Sequence, residues 1–251
     1  MDSVSGALRP HSRTSAGASE RPPVSPPVST RTGLHASPWA VNKLLLHPAA
    51  KPLVFALCLL PFAWLVYAAF ANQLGANPAE ALVRSTGDWT LRFLCIVLAA
   101  TPLRTITHTP ALARFRRMLG LFVYFYVVVH LLSYSWFDME FVVADIVKDI
   151  IKRPFILVGF SAFLLLTPLA ATSFNRAIKA LGAKRWQLLH RLVYAVAGLA
   201  ILHFFWMRSG KNDFAEVAVY AAVLLTLLGW RVFKVIDKKR IRPSKNINSL
   251  L

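Results

Sequence analysis

Six apolar runs, each near the ~20 residues that an α-helix needs to cross a bilayer, constrain this chain more than anything else in it. They fall at about 52–71, 89–105, 118–137, 154–172, 187–207 and 214–234. In a chain of 251 residues, 56% hydrophobic and only 16% charged, with a mean hydropathy of +0.52, that apolar surface exceeds what a soluble domain buries. Hydrocarbon satisfies no backbone polar groups, so runs of this length must be helices. The predicted fold class is therefore all-α, a polytopic membrane bundle of six transmembrane helices. The second run is the least clean, because Arg92 lies near its start and Pro102 near its end. Pro61 in the first and Pro168 in the fourth are tolerable kinks in a bundle. Trp64, Tyr67, Trp89, Tyr134, Trp136, Trp186, Trp206 and Trp230 fall mostly near run ends, where interfacial anchors belong.

The rest of the chain divides around these runs. Residues 1–38 are rich in Ser, Pro, Thr, Arg and Gly, and Pro22-Pro23-Val24-Ser25-Pro26-Pro27 cannot nucleate a helix or strand. A disordered N-terminus is expected there, with neither the apolar core of a secretory signal nor a twin arginine. The spans then occupy residues 39–236, and a basic tail follows over 237–251. The net charge of +18 raises nucleic acid as a partner, but the basic residues sit in short loops between apolar runs, so no nucleic-acid surface is expected. Arg104, Arg114, Arg116 and Arg117 follow the second run without an acid, as Arg176, Lys179, Lys184 and Arg185 follow the fourth. The loop after the third run instead mixes Asp138, Glu140, Asp145 and Asp149 with Lys148, Lys152 and Arg153. The positive-inside rule then puts both termini in the cytoplasm, in agreement with an even number of spans.

Two histidines stand among membrane-interior residues: His130 after Val127-Val128-Val129, and His203 after Leu199-Ala200-Ile201-Leu202. Ionisable side chains are costly in lipid and usually have a partner or a function. Neutral imidazole is also a common metal ligand. Both spans run outward in this topology, with His130 seven residues before Phe137 and His203 four before Met207. Their depths differ by only about 5 Å at the helical rise, so one haem iron between two helices could be held by both. The competing reading makes each a core histidine bonded to a carbonyl or hydroxyl. Cys58 and Cys95 lie inside apolar runs, and no CxxC or CxxCH occurs. Both cysteines are read as packing residues, and any haem would be non-covalent, of b type.

His190 lies thirteen residues before His203, about 20 Å lower, and on an ideal helix roughly 140° away in azimuth. A second haem below the first would want a ligand early in span three, which reads Arg116-Arg117-Met118-Leu119. His190 is therefore a possible second haem or cofactor ligand, or an interfacial histidine. His108 reads as a surface loop residue. Arg116, Arg117 and Arg191 could pair with haem propionates or a flavin phosphate, or simply hold lipid headgroups. Arg92 could snorkel outward or meet a propionate of the outer haem.

Over about residues 50–235 the chain resembles the MsrQ (YedZ) family, within the ferric-reductase-like transmembrane superfamily. The resemblance is carried by Leu60-Pro61-Phe62-Ala63-Trp64-Leu65, Thr101-Pro102-Leu103-Arg104, Arg116-Arg117-Met118-Leu119-Gly120-Leu121 leading to His130, and Arg153-Pro154-Phe155. Leu181-Gly182-Ala183-Lys184-Arg185-Trp186-Gln187-Leu188-Leu189-His190-Arg191-Leu192-Val193-Tyr194, followed by His203, completes it. The resemblance implies a haem-binding subunit of a bacterial methionine sulfoxide reductase system, in the cell inner membrane. Such a subunit passes electrons from the quinone pool to a periplasmic molybdopterin reductase (MsrP-like) that repairs oxidised proteins, and FMN is the second cofactor it implies. It matches His130, His190 and His203 to the family's haem-linked histidines. NADPH oxidases and ferric reductases of the superfamily carry two histidines on each of two helices; span three here has one. A stand-alone ferric or metal reductase of the same cytochrome b type is the alternative, and a cofactor-free transporter or scaffold is the rival from another class.

Overall fold

The computed structural model describes residues 38–210 and 212–240; the N-terminal segment expected to be disordered lies outside these up to residue 37, as does the end of the basic tail. Among the described residues there are helices and no strands. Six helices are long and apolar enough to cross a membrane: α2 (Ala50–Phe70), α3 (Pro78–Ile106), α4 (Arg116–Phe137), α6 (Pro154–Ala171), α8 (Leu192–Ser209) and α9 (Ala215–Arg240). Three shorter ones join them: α1 (Pro38–Leu46), α5 (Val143–Lys152) and α7 (Asn175–Leu189).

Helix α3 begins eleven residues before the predicted start of the second span, because its opening turns suit a helix better than they suit lipid. Asn77 caps it, its Oδ1 accepting the Glu80 N–H at 3.2 Å, and Pro78 occupies the first turn, where no N–H is needed. Glu80 pairs with Arg84 one turn on. At 29 residues α3 is roughly 44 Å long, well over the ~30 Å hydrocarbon thickness, so its charged end rises out of the apolar layer or tilts within it.

The fifth span is shorter than predicted. Gly182, at φ +74°, breaks the backbone within α7, and α7 ends at Leu189. The chain turns through His190 and Arg191 before α8 starts at Leu192, so His190 lies outside the span and the ideal-helix angle between it and His203 does not apply. The helix of the sixth span continues to Arg240. Helix α5 fills the predicted outer loop and packs on α6; Ile146 and Ile150 turn inward there, while Val143, Val147 and Ile151 stay exposed. Helix α1 is tied to the 3₁₀ turn Pro110–Arg114: Arg114 Nη1 donates to the carbonyl of Leu46 at 2.9 Å, and Asn42 Oδ1 accepts the Ala111 N–H at 3.1 Å.

Helix α3 packs on α4 and α6 on α8, and the two pairs meet through α4 against α6 and through α9, which touches both α3 and α8. The shared core holds Leu94, Leu98, Val123, Tyr126 and Val196, each almost wholly buried. Phe93 stacks on Tyr126 with ring centres 5.0 Å apart. Two prolines in the spans are answered by side chains from neighbouring helices. Pro61 deprives α2 of one ladder bond, and the Tyr126 hydroxyl enters the next rung, donating to Cys58 O at 2.9 Å and accepting the Phe62 N–H at 3.1 Å. Pro102 leaves Leu98 O without its i+4 donor, and Arg231 Nη2 of α9 donates to it at 2.6 Å. Leu53, Phe55, Leu60, Leu225, Val232 and Phe233 remain exposed on α2 and α9, as a surface facing lipid requires.

Candidate functional site

The two helix pairs enclose a cavity of about 300 Å³, with apolar walls from residues such as Leu91, Val127 and Ala200. His130 enters it from α4 and His203 from α8, with ring centres 6.3 Å apart and planes at 77°. Each ring is held from behind by a backbone carbonyl. His130 Nδ1 lies 2.9 Å from Val83 O on α3, and His203 Nδ1 lies 2.7 Å from Phe155 O on α6. A carbonyl can only accept, so in both rings Nδ1 carries the proton and donates it. The second nitrogen, Nε2, then carries the lone pair, the state in which imidazole binds metal. Neither Nε2 has a hydrogen-bond partner among the described residues. An imidazole nitrogen binds a metal at about 2.0–2.1 Å, so two rings on opposite sides of one ion place their centres roughly 6.3–6.5 Å apart. The observed separation lies in that range.

One end of the cavity is polar. Arg84, Asp88, Tyr134, Asp138 and Arg153 line it, and both arginines are committed to acids on their own helix or its flank. Arg84 pairs with Glu80, and Arg153 Nε meets Asp149 Oδ1 at 2.7 Å. Asp149 also accepts the Tyr134 hydroxyl at 2.6 Å. Partial desolvation pushes the Asp138 carboxyl above its ordinary range; Arg153 opposes this, while Asp149 and Glu80 reinforce it. Sequence reasoning missed Arg84 and Arg153 as cavity residues. The first lay before the predicted span, and the second read as a topology charge.

Arg92, read as either snorkelling outward or meeting a propionate, does not line this cavity. Its Nε donates to the Tyr220 hydroxyl at 3.1 Å, and its guanidinium sits 4.7 Å from the centre of the Trp89 ring. Trp89 is accordingly part of the core packing between α3 and its neighbours, not a free interfacial anchor. Arg191 occupies the exposed turn before α8 and lines neither cavity.

A second cavity, about 240 Å³, opens at the opposite end of the same helices. Arg116, Arg117, Tyr124, Trp186 and His190 line it, so the structure gathers three of the candidate cofactor residues, Arg116, Arg117 and His190. The Trp186 indole stacks on His190 at 3.8 Å between ring centres and donates its Nε1–H to Thr172 O at 2.9 Å. His190 Nδ1 donates to Trp186 O at 3.0 Å, and Nε2 lies 3.5 Å from Ser173 Oγ. Burial holds this imidazole below its usual range; the Trp186 carbonyl pulls the other way, and nearby Arg116 adds to the lowering. Arg117 Nη1 is spent on Asn175 Oδ1 at 2.7 Å. Leu94, Val123 and Leu166 line both cavities, so a wall one side chain thick separates them.

Residues 86–201 match the family described as ferric reductase like transmembrane component. The chain is 78% identical over 205 residues to the protein-methionine-sulfoxide reductase heme-binding subunit MsrQ of Polaromonas naphthalenivorans, covering 82% of this chain and 94% of that protein. It is 52% identical over 189 residues to the MsrQ subunit of Herminiimonas arsenicoxydans, covering 75% and 87%. For the MsrQ subunit of Xanthomonas euvesicatoria the identity is 46% over 198 residues, covering 76% and 89%. No solved structure matches. Six spanning helices, a histidine pair facing across their core and identity at this level over most of both chains together make this protein a member of the MsrQ family.

Proposed function

We propose that the chain is the membrane electron-transfer subunit of a methionine sulfoxide reductase system, and that His130 and His203 are the axial ligands of a single b-type haem. The observation that carries this reading is the facing pair: proton on Nδ1, lone pair on Nε2, ring centres 6.3 Å apart. Among the described residues no third His, Cys, Asp or Glu joins a metal-holding group, which suits a metal whose other positions come from a macrocycle. The apolar walls and the lack of a CxxCH fit a non-covalent macrocycle. Bound there, a haem with both axial positions taken supplies a one-electron carrier instead of an oxygen-activating centre.

The chain's own residues do the rest. Val83 and Phe155 carbonyls fix the tautomer and aim of both ligands and raise their basicity. The apolar walls exclude water, and Arg84 and Arg153 offer cationic groups at the polar mouth. At the other end Arg116, Trp186 and His190 form a half-buried basic and aromatic recess, suited to a flavin such as FMN, a quinone head or a second haem. Its thin shared wall gives a short path between the two cavities. With both termini cytoplasmic, the His130–His203 cavity faces the periplasm and the His190 cavity the cytoplasm. On this reading the subunit sits in the inner membrane, takes electrons from the quinone pool and delivers them to a periplasmic molybdopterin reductase of MsrP type; the names of its relatives support its place as a haem-binding subunit in a methionine sulfoxide reductase system.

The test is haem and flavin stoichiometry on protein purified from membranes, for the wild type and for His130→Ala, His203→Ala and His190→Ala. The first two substitutions remove the low-spin b-type spectrum, and the third leaves it in place. A full spectrum in either of the first two would refute the assignment. Reduction of ferric chelates without the molybdoprotein, at the rate seen with it, would favour a stand-alone reductase.

A further inference from the structure

His130 and His203 are seated by one device built twice. On α3 the carbonyl of Val83 takes the Nδ1 bond, and Gly87 follows four residues later; on α6 the carbonyl of Phe155 takes it, and Gly159 follows four residues later. The carbonyl-to-histidine separation is 47 residues in the first pair and 48 in the second. Both rings pack against their glycine, with Nδ1 and Cε1 nearest. A Cβ at Gly159 would stand 2.8 Å from His203 Nδ1 and 2.9 Å from Cε1; at Gly87 it would stand 3.2 Å from His130 Cε1 and 3.3 Å from Nδ1. Gly198 and Gly229, also in spanning helices, have nothing within 4 Å of such a carbon.

The physical reason for a glycine at that step is the direction of helical side chains. Cα–Cβ bonds tilt toward the helix N-terminus, so a side chain covers the turn before its own position. A residue four positions after a carbonyl therefore shields that carbonyl from a donor approaching sideways. With glycine there, the carbonyl stays open to the imidazole on that side; at Val83 the Thr86 hydroxyl reaches the same oxygen at 3.0 Å. At Gly159 an added methyl would stand within 3 Å of the Nδ1 that makes this bond, so the ring must shift away from the carbonyl that sets its tautomer and aim.

We propose that Gly87 and Gly159 are positioning residues for the paired histidines: each uncovers the carbonyl that orients one ring, and together they set the crossed arrangement of the two. This rests on the haem reading above. The two seats are not equally tight, and the contact distances rank them. At Gly159 the gap is below what real Cβ atoms tolerate, so His203 must leave its seat; at Gly87 His130 need move only by a few tenths of an ångström.

The experiment uses the full chain purified in detergent, read by absorbance and by EPR of the ferric state. Gly159→Ala should lose most of the six-coordinate low-spin signal while the chain stays in the membrane, and added imidazole should restore it by filling the vacated axial position, a rescue that misfolded protein would not show. Gly87→Ala should keep its haem but shift the low-spin g-values. Gly198→Ala and Gly229→Ala should match the wild type. A Gly159→Ala protein with the wild-type spectrum overturns the proposal. Should Gly159→Ala fail to accumulate, Gly87→Ala decides, and unchanged g-values there overturn it. His130→Ala and His203→Ala keep the two readings apart: if both retain the full low-spin spectrum, the haem assignment itself fails and this proposal falls with it; if both lose it, a negative glycine result counts against the seats alone.

Discussion

His130 and His203 face each other with their planes turned 77° apart, each locked by its own carbonyl rather than by the other ring. The angle between axial imidazoles sets how far the iron d orbitals are split. Crossed rings leave two of them nearly degenerate, and parallel rings separate them. If the pair holds the haem proposed above, the purified ferric protein should therefore give a strongly anisotropic low-spin EPR signal with one dominant low-field feature. A well-resolved rhombic spectrum, the mark of parallel rings, would contradict the seating described here.

Tyr126 lies wholly buried with its hydroxyl inside the α2 ladder, donating to Cys58 O and accepting from Phe62 N–H. Tyr126→Phe removes one partner from each of these backbone groups in the apolar interior, where an unsatisfied group costs on the order of 1–3 kcal/mol. The ring stack on Phe93 survives the change. We expect a lower thermal midpoint in detergent with haem content per folded chain unaltered. An unchanged midpoint would show that the α2 kink closes its own ladder without the phenol.

The spans and the histidine pair were legible in the sequence because each rests on a local property: apolar length, or a titratable residue set in an apolar run. What escaped was whatever depends on neighbours. Glu80, Arg84 and Asp88 lower the hydropathy of the first turns of α3, so hydropathy alone starts the span at residue 89; those same charges turn out to form the helix entry and the polar mouth. The 138–153 segment read as a loop, although Val143, Val147 and Ile151 recur at helical spacing, because the run is too short and too charged to stand out. In the sequence Arg92 reads as a snorkelling charge or a propionate partner, and Arg231 as one more basic residue near the end of the last span. Only tertiary packing shows one held by Tyr220 and the other by a carbonyl that Pro102 left open.

Asp138 offers a pH test at the cavity mouth. Its carboxyl is raised by desolvation, so the folded chain holds this proton more tightly than the unfolded chain does. Between the ordinary carboxylate value of about 3.9 and the higher folded value, stability at this site falls as pH rises, and above that window the full penalty applies. Asp138→Asn should raise the thermal midpoint modestly at neutral pH, with the gain shrinking as pH falls through the window and vanishing below it. A gain that persists at the acid end would point to packing instead of charge.

Arg231 makes the strongest case for a charged residue kept inside a span for structure. Its Nη2 reaches across from α9 to Leu98 O at 2.6 Å, and its guanidinium lies 5.6 Å from the Tyr194 ring centre on α8, so one side chain ties three helices. The cost of holding a cation there is offset because Pro102 has removed the donor that Leu98 O would otherwise use. Arg231→Leu should therefore be harmful although it makes α9 more apolar. It leaves a carbonyl unpaired at about 1–3 kcal/mol and removes the aromatic contact. A double mutant separates the causes: Pro102→Ala restores a backbone N–H at that position, which can serve Leu98 O, and the penalty for Arg231→Leu should shrink. Thermal unfolding of the four proteins in detergent measures that coupling, and strict additivity would show that the arginine and the proline act independently.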